Sequence, residues 1–391
     1  MTPRPKRILV VGHDAAMGGA QHALLETLHR LDACGYRPLA LVPTGGPFVE
    51  ALRQAGIECH TGPVQRWIFF RKPDAGLLRH PNLWALLSLL TLPLRLAILA
   101  FLARLKGICL VYSNTITVID GALTARLLGL PHVWHLHEAV EDNDNLASPW
   151  PTSWLPRFIL DQSERVIVNS EHLRRNLFQN LPQDKVRVVF NGVDMTASLA
   201  PPCLEGIPKD AQLTAIVGRL DENKRIGDYL EALALLQQSF PEAHHLVVGR
   251  GPSAHEYRLQ LAVARLGLSG QVHFLGYRDD VRSLLTRVSV LVSASARESF
   301  GRTLIEAMAA GVPVVATRSG GPEEIIVDGE CGYLVEVGDV AALAERIRRL
   351  LGDRTLAQTL GTAGRRRASE RFDLERSGTQ IVGIIEEALS R

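Results

Sequence analysis

The hydrophobic and polar positions follow two rhythms. Short β-branched runs end at turn residues: Ile8–Val11 stops at Gly12, and Leu39–Val42 stops at Pro43-Thr44-Gly45-Gly46. Between them, Gln21 to Leu31 carries the three-to-four spacing of a helix, and Phe48–Ala55 reads as another, stopped at Gly56. Further strands are expected at Leu110–Ser113, His132–Leu136, Arg165–Asn169 and Val186–Phe190, with helical stretches between most of them. Nearly continuous apolar strands that alternate with helices predict a parallel sheet covered on both faces.

The pattern breaks between residues 195 and 210, where Ala200-Pro201-Pro202 and Ile207-Pro208 read as a linker. It then restarts. Strands are expected at Thr214–Val217, His245–Val248, Val272–Phe274, Val288–Val292 and Pro313–Thr317. Helices are expected at Ile226–Gln237, Ala254–Leu266, Gly301–Ala310 and Ala341–Leu351. Two α/β blocks joined by a hinge near residue 200 imply a ligand cleft between them, because ligands of such sheets sit outside the carboxyl ends of the strands. The tail from 371 to 391 is one more helical pattern, with Ile381, Ile384, Ile385 and Leu389 on one side.

One stretch does not fit a simple α/β rhythm. Leu83–Ala103 has Arg95 as its only charge and contains Pro93. Its length suits a transmembrane helix, but a span here would separate Ile8–Val11 from Leu110–Ser113, which read as strands of one sheet. Two readings remain: a pair of buried helices broken at Pro93, or a surface that docks on a membrane leaflet. In the second, Arg66, Arg71, Lys72, Arg79, Arg95, Arg104 and Lys106 would meet anionic lipid.

Composition narrows the classes. The chain has 391 residues, 43 Lys+Arg and 41 Asp+Glu, a formal net charge of +2. That balance argues against a nucleic-acid binder driven by a basic surface. With 46% hydrophobic and 21% charged residues the chain is neither disordered nor fibrous. Its five cysteines (34, 59, 109, 203 and 331) form no CxxC pair, which fits neither a disulfide framework nor a zinc site and points to a reducing cytosol. The N-terminal apolar run is four residues long and reads as a strand, not a secretory signal.

The densest chemical signal is Glu298-Ser-Phe-Gly-Arg-Thr-Leu-Ile-Glu306. Glu298 follows the apolar run VSVLVSAS, and a helix starts near Gly301. The unsatisfied N–H groups and positive dipole end of that helix suit a phosphate. Two carboxylates placed about a turn apart could grip hydroxyl groups of an extended ligand. Alternatively, Glu298 is a helix-capping acid and Glu306 a solvated helix residue. The second signal is Gly218-Arg219-Leu-Asp-Glu-Asn-Lys224, again between a strand and a helix. Arg219 can fork onto phosphate oxygens and Lys224 can add a point charge. The alternative is a surface salt bridge to Asp221 or Glu222.

These residues resemble the retaining glycosyltransferases of family 4, which have the GT-B architecture of two Rossmann-like, doubly wound parallel-sheet domains. GGAQ at Gly18–Gln21, VWHLHE at Val133–Glu138, NGVD at Asn191–Asp194 and GGPEEII at Gly320–Ile326 occur in the family's order, so the resemblance covers nearly the whole chain. It implies an acceptor-binding domain over 1–197, onto which the 371–391 helix packs back, and a donor-binding domain over 198–370. It implies a nucleotide-sugar donor, a UDP- or GDP-sugar, whose diphosphate is neutralised by Arg219 and Lys224. Glu298 would contact the donor sugar and Glu306 the ribose hydroxyls. Phe300, Gly301, Arg302 and Thr303 would offer backbone N–H groups to phosphate. His137 would face the reacting sugar, and Gly18 and Gly19 would let backbone approach the donor phosphate and acceptor. Gly18-Gly19 also reads as a plain tight turn, and His137 as a satisfied buried histidine.

The sequence departs from the family's usual pattern at Arg250, where an acid is more common, at Arg225, where glycine is frequent, and in carrying a second histidine, His135, on the face of His137. The implied reaction transfers a hexose or related sugar, with retention and without a metal or other cofactor, to a polysaccharide or lipid-linked glycan. Cell-surface polysaccharide or lipopolysaccharide biosynthesis is the expected setting, on the cytoplasmic side of a membrane. A sugar-nucleotide 2-epimerase and a non-enzymatic sugar-nucleotide-binding regulator share the architecture.

Overall fold

The computed structural model describes residues 5–70, 81–140, 146–196, 200, 202 and 204–390, with the side chains of 70 and 81–85 excepted. Arg71, Lys72, Arg79, Pro201 and Cys203 lie outside the described residues. The chain divides into two compact units, Met1–Gly192 with Leu374–Arg391, and Val193–Asp373. The division falls at 192/193, five residues before the boundary read from the sequence, which itself lies outside the described residues.

The first unit holds strands β1 (Arg7–Val11), β2 (Arg37–Val42), β3 (Glu58–Thr61), β4 (Phe69–Phe70), β5 (Ile108–Asn114), β6 (His132–Leu136), β7 (Leu146–Ala147), β8 (Arg165–Val168) and β9 (Val186–Val188). Seven of them form one parallel sheet in the order β3-β2-β1-β5-β6-β8-β9. The strands nearest the middle are buried at almost every position, as their continuous apolar runs require. The Glu58–Thr61 edge strand has no apolar run and was invisible to a hydrophobicity pattern. The final helix, Leu374–Leu389, lies in this unit, where Ile381, Ile384 and Ile385 share a core with Leu24, Leu28 and Leu31. The tail is one helix that starts at Leu374, three residues after 371; the preceding Arg354–Arg371 helix belongs to the second unit and is ended by buried Phe372.

The second unit repeats the plan with β10 (Leu213–Val217), β11 (His244–Val248), β12 (Val272–Gly276), β13 (Val290–Ser293), β14 (Val314–Thr317) and β15 (Tyr333–Val335). Its parallel order is β12-β11-β10-β13-β14-β15. In each unit the first strand is central. Later strands are laid down first on one side and then on the other, so the order reverses between β1 and β5 and between β10 and β13. Both units are Rossmann-like, and the fold class is GT-B.

Leu83–Ala103 belongs to a single helix, Pro81–Lys106, not to two helices broken at Pro93. Side chains near the proline bond to carbonyls of the preceding turn. The Thr91 hydroxyl donates to Leu87 O at 3.0 Å and Arg95 Nη1 donates to Ser88 O at 2.6 Å. Arg95 is therefore not available to lipid: it is buried, and its guanidinium lies 2.9 Å from Asp120. Arg66 and Lys106 are likewise engaged, with Asp14 at 2.5 Å and Glu58 at 2.7 Å. β1 and β5 pair directly in one sheet, so a span between them would have to tear that sheet apart.

Candidate functional site

In each unit the loops leaving the carboxyl ends of the two strands at the order reversal form the natural place for a ligand. In the second unit these loops are 218–225 and 294–301. Gly249 (φ 134°) packs so closely on the first loop that a Cβ would stand 1.8 Å from Gly218 O, which only glycine allows. Lys224 lies across Gly218, its Cε 3.2 Å from where a Cβ would be. Asn223 then clamps the two loops together. Its Nδ2 donates to Arg297 O at 2.8 Å, its Oδ1 accepts from Arg297 N at 3.1 Å, and its carbonyl accepts from Ala296 N at 2.7 Å.

That clamp brings Lys224 Nζ to 2.5 Å from Glu298 Oε2, with side chains 25% and 19% exposed. Burial opposes the ammonium charge, but Glu298, and then Asp221, outweigh it and hold Lys224 above the ordinary lysine pKa. Lys224 is thus paired with Glu298 rather than with Asp221 or Glu222. Arg219 does face Asp221, at 3.6 Å, and its side chain remains 51% exposed.

Glu298 is fixed through its own backbone: its N–H donates to Ser319 O at 2.9 Å and its carbonyl accepts from Gly321 N at 2.7 Å. It is not a helix cap. The cap of the Arg302–Ala309 helix is Gly301 (φ 106°), and no side chain caps it. Glu306 is not solvated either, since Arg302 Nε donates to it at 2.9 Å and both side chains are nearly buried. Phe300 turns its ring into the core against Phe372, centroids 5.8 Å apart, which leaves only its backbone for a ligand. Gly301, Arg302 and Thr303 follow at the start of the helix.

In the first unit the corresponding loops follow β1 and β5. Gly18 is the extended N-cap of the Gly19–Ala33 helix. His137 follows β6, and its Nε2 is 2.9 Å from Asn114 Oδ1 at the end of β5. His135 and His137 do lie on one face, ring centroids 4.2 Å apart. His135 is the inner of the two: its Nδ1 is hydrogen-bonded with the Tyr112 hydroxyl at 2.6 Å, and burial drives its pKa down to about 3. Two neighbours with shifted pKa values, Glu138 and His13, carry no signal in the sequence. Burial pushes the Glu138 carboxyl up to about 7 and holds His13 at about 4, Arg66 adding to the latter. The buried His13 Nδ1, Asn114 Nδ2 and Asn169 Oδ1 have no hydrogen-bond partner, so the carboxyl-end loops carry unspent polar capacity.

The two non-glycine residues with positive φ among those described are Thr115 (77°) and Arg225 (46°). One follows β5 and the other closes the loop after β10, so the backbone strain of each unit sits at its order reversal. Neither could be read from composition, although Arg225 stands out in the sequence for occupying a position where glycine is frequent. Among the described residues no group of three or more His, Cys, Asp and Glu is placed to hold a metal ion.

Comparison with known proteins places this geometry in the glycosyltransferases. The crystal structure of Anabaena HepE with UDP and glucose superimposes with a TM-score of 0.78 at 25% identity, covering 97% of this chain and 99% of that one. The family models described as "Glycosyltransferase Family 4" and "Glycosyl transferases group 1" match residues 17–197 and 205–367. The chain belongs to glycosyltransferase family 4. Among curated relatives it is 32% identical to the N-acetyl-alpha-D-glucosaminyl L-malate synthase of Bacillus anthracis, over 60% of this chain and 62% of that protein. It is 34% identical to the lipopolysaccharide core biosynthesis glycosyltransferase LpsE of Rhizobium meliloti, over 49% and 55%. The chain thus spans little more than half the length of these relatives.

Proposed function

We propose that this chain is a retaining, metal-independent glycosyltransferase that moves a hexose or related sugar from a nucleotide-sugar donor, UDP- or GDP-linked, to a polysaccharide or lipid-linked glycan. The observation that carries the reading is the Lys224–Glu298 pair, held by Asn223 at the order reversal of the second unit with Arg219 beside it. A UDP complex of HepE, a protein of the same architecture, supports a UDP-sugar among the candidate donors. The lipopolysaccharide role of LpsE supports a cell-surface glycan as acceptor, and with it a cytoplasmic location on the inner face of the membrane.

The chemistry follows from charge. As the bond between the anomeric carbon and the phosphate oxygen breaks, negative charge grows on the nucleoside diphosphate. Lys224, Arg219 and the uncapped N–H groups at Gly301–Thr303 are fixed before the donor arrives, and so stabilise that charge without reorganising. Glu298 orients Lys224 and meets the donor sugar, and Glu306 holds the ribose. The acceptor hydroxyl attacks on the face that the phosphate leaves, and its proton passes to the departing phosphate oxygen.

The test is nucleoside diphosphate release by the purified chain over a panel of UDP- and GDP-sugars, with and without glycan acceptor. Acceptor-dependent release with one donor is the expected result. An epimerised donor with no acceptor dependence would replace this reading with a 2-epimerase, and binding without turnover would replace it with a regulator.

A further inference from the structure

The Pro81–Lys106 helix is inside out for a protein surrounded by water. Leu86, Leu90, Leu94, Ile98, Phe101 and Leu105 recur at three- and four-residue intervals, which places them on one stripe. Each is 42–69% exposed. The polar residues Ser88 and Arg95 lie on the opposite face and are buried. Water selects the reverse arrangement, and an apolar stripe of this size marks a surface that meets something apolar. The stripe runs about 30 Å at 1.5 Å per residue.

We propose that this stripe lies flat in the headgroup–acyl boundary of an anionic membrane leaflet. The helix is long and apolar enough to cross a bilayer, but its inner face is committed to the protein. Leu99 and Ala103 belong to the core beside β1 and β5, and Arg95 is tied to Asp120. The helix therefore lies on the membrane with its outer face only.

The margins of the stripe favour lipid over a second copy of the chain. Arg104 and Arg126 are exposed, and the 81–106 helix carries no acid. Leu127, on the adjoining Asp120–Leu128 helix, extends the apolar surface and is 59% exposed. Trp150 lines a small cavity with Leu89, Leu92 and Arg95, and half-exposed Trp154 packs against it with ring centroids 6.3 Å apart. Tryptophan and arginine at the edge of a leucine stripe are the composition of a membrane interface. The docking stands on the helix itself. Its purpose, delivering the first unit to an acceptor anchored in the same leaflet, rests on the transferase reading.

The experiment is flotation of the full chain with phosphatidylcholine vesicles, with and without phosphatidylglycerol. The wild type is expected to float with the anionic vesicles. The Leu90→Ser/Leu94→Ser/Phe101→Ser variant should lose partition by more than about tenfold, since each change removes an exposed apolar side chain that docking would bury in the leaflet. Its melting temperature, and the shift a UDP-sugar produces in it, should be unchanged. A wild type that stays at the bottom of the gradient overturns the docking, as does a solution dimer that the triple substitution dissociates. Donor binding is scored separately by the melting shift, so a failure of docking and a failure of the transferase reading give different results.

Discussion

Buried histidines set how this protein responds to acid. Burial drives His132, His135 and His245 down to about 3 and His13 to about 4, from an ordinary 6.5. The tyrosine–His135 and Thr214–His245 hydrogen bonds, 2.6 and 2.8 Å long, suit neutral rings. Below about pH 6.5 the unfolded chain takes up protons that the folded chain refuses. The stability these groups allow is complete above that pH and is lost as pH falls toward 3. Each histidine adds up to about 1.4 kcal/mol of loss per pH unit. Urea unfolding of the first unit at pH 7.5 and 5.5 should show a falling midpoint, and His135→Gln should flatten that fall. An unchanged slope in the variant would contradict the assignment. That two histidines share a face was legible from strand alternation. That the inner one is a structural, neutral group was not, because it depends on Tyr112 of a neighbouring strand.

At the scale of elements, the Arg95–Asp120 pair ties the inverted helix to the start of the Asp120–Leu128 helix. Arg95 Nε donates to Asp120 Oδ1 and the Gln65 N–H to Oδ2, each at 3.0 Å, so both oxygens of the buried carboxylate accept a bond. Burial nevertheless raises the Asp120 pKa against those bonds. Arg95→Met should cost about 3 kcal/mol near neutral pH, because it leaves a buried carboxylate without its cation. The cost should shrink toward pH 5: Asp120, its pKa raised further, then takes up a proton in the folded state. Chemical denaturation at the two pH values checks this, and an equal cost at both would count against it. The sequence showed the length and apolarity of this helix, but not its facing. Which side of a nearly all-leucine helix is buried depends on where Asp120 lies, and periodicity does not carry that. For the same reason Arg95 read as a lipid contact. The inner strands were legible because parallel strands are apolar throughout. β3 was missed because a four-residue edge strand needs no such run, and β15 because its buried apolar run is only three residues long.

For the whole molecule, two units are built on one plan, and both concentrate backbone strain and polar side chains at the reversal of strand order. The positions of Arg219, Lys224, Glu298 and Glu306 after strands and before helices could be read from the chain. Their pairing could not. Lys224 meets Glu298 only because Asn223, an unremarkable residue in the sequence, bonds to Arg297 from 74 residues away. Glu306 turned out to be satisfied by Arg302, one helical turn before it. The central claim is that Lys224 and Glu298 act as one preorganised unit on a nucleotide-sugar donor. The most direct measurement is the rate of acceptor-dependent nucleoside diphosphate release by Lys224→Ala, Glu298→Ala and the double variant. Each single change should slow turnover at least about tenfold, roughly 1.4 kcal/mol of transition-state stabilisation, and the double variant should be about as slow as the worse single one. Wild-type rates in both single variants would contradict it.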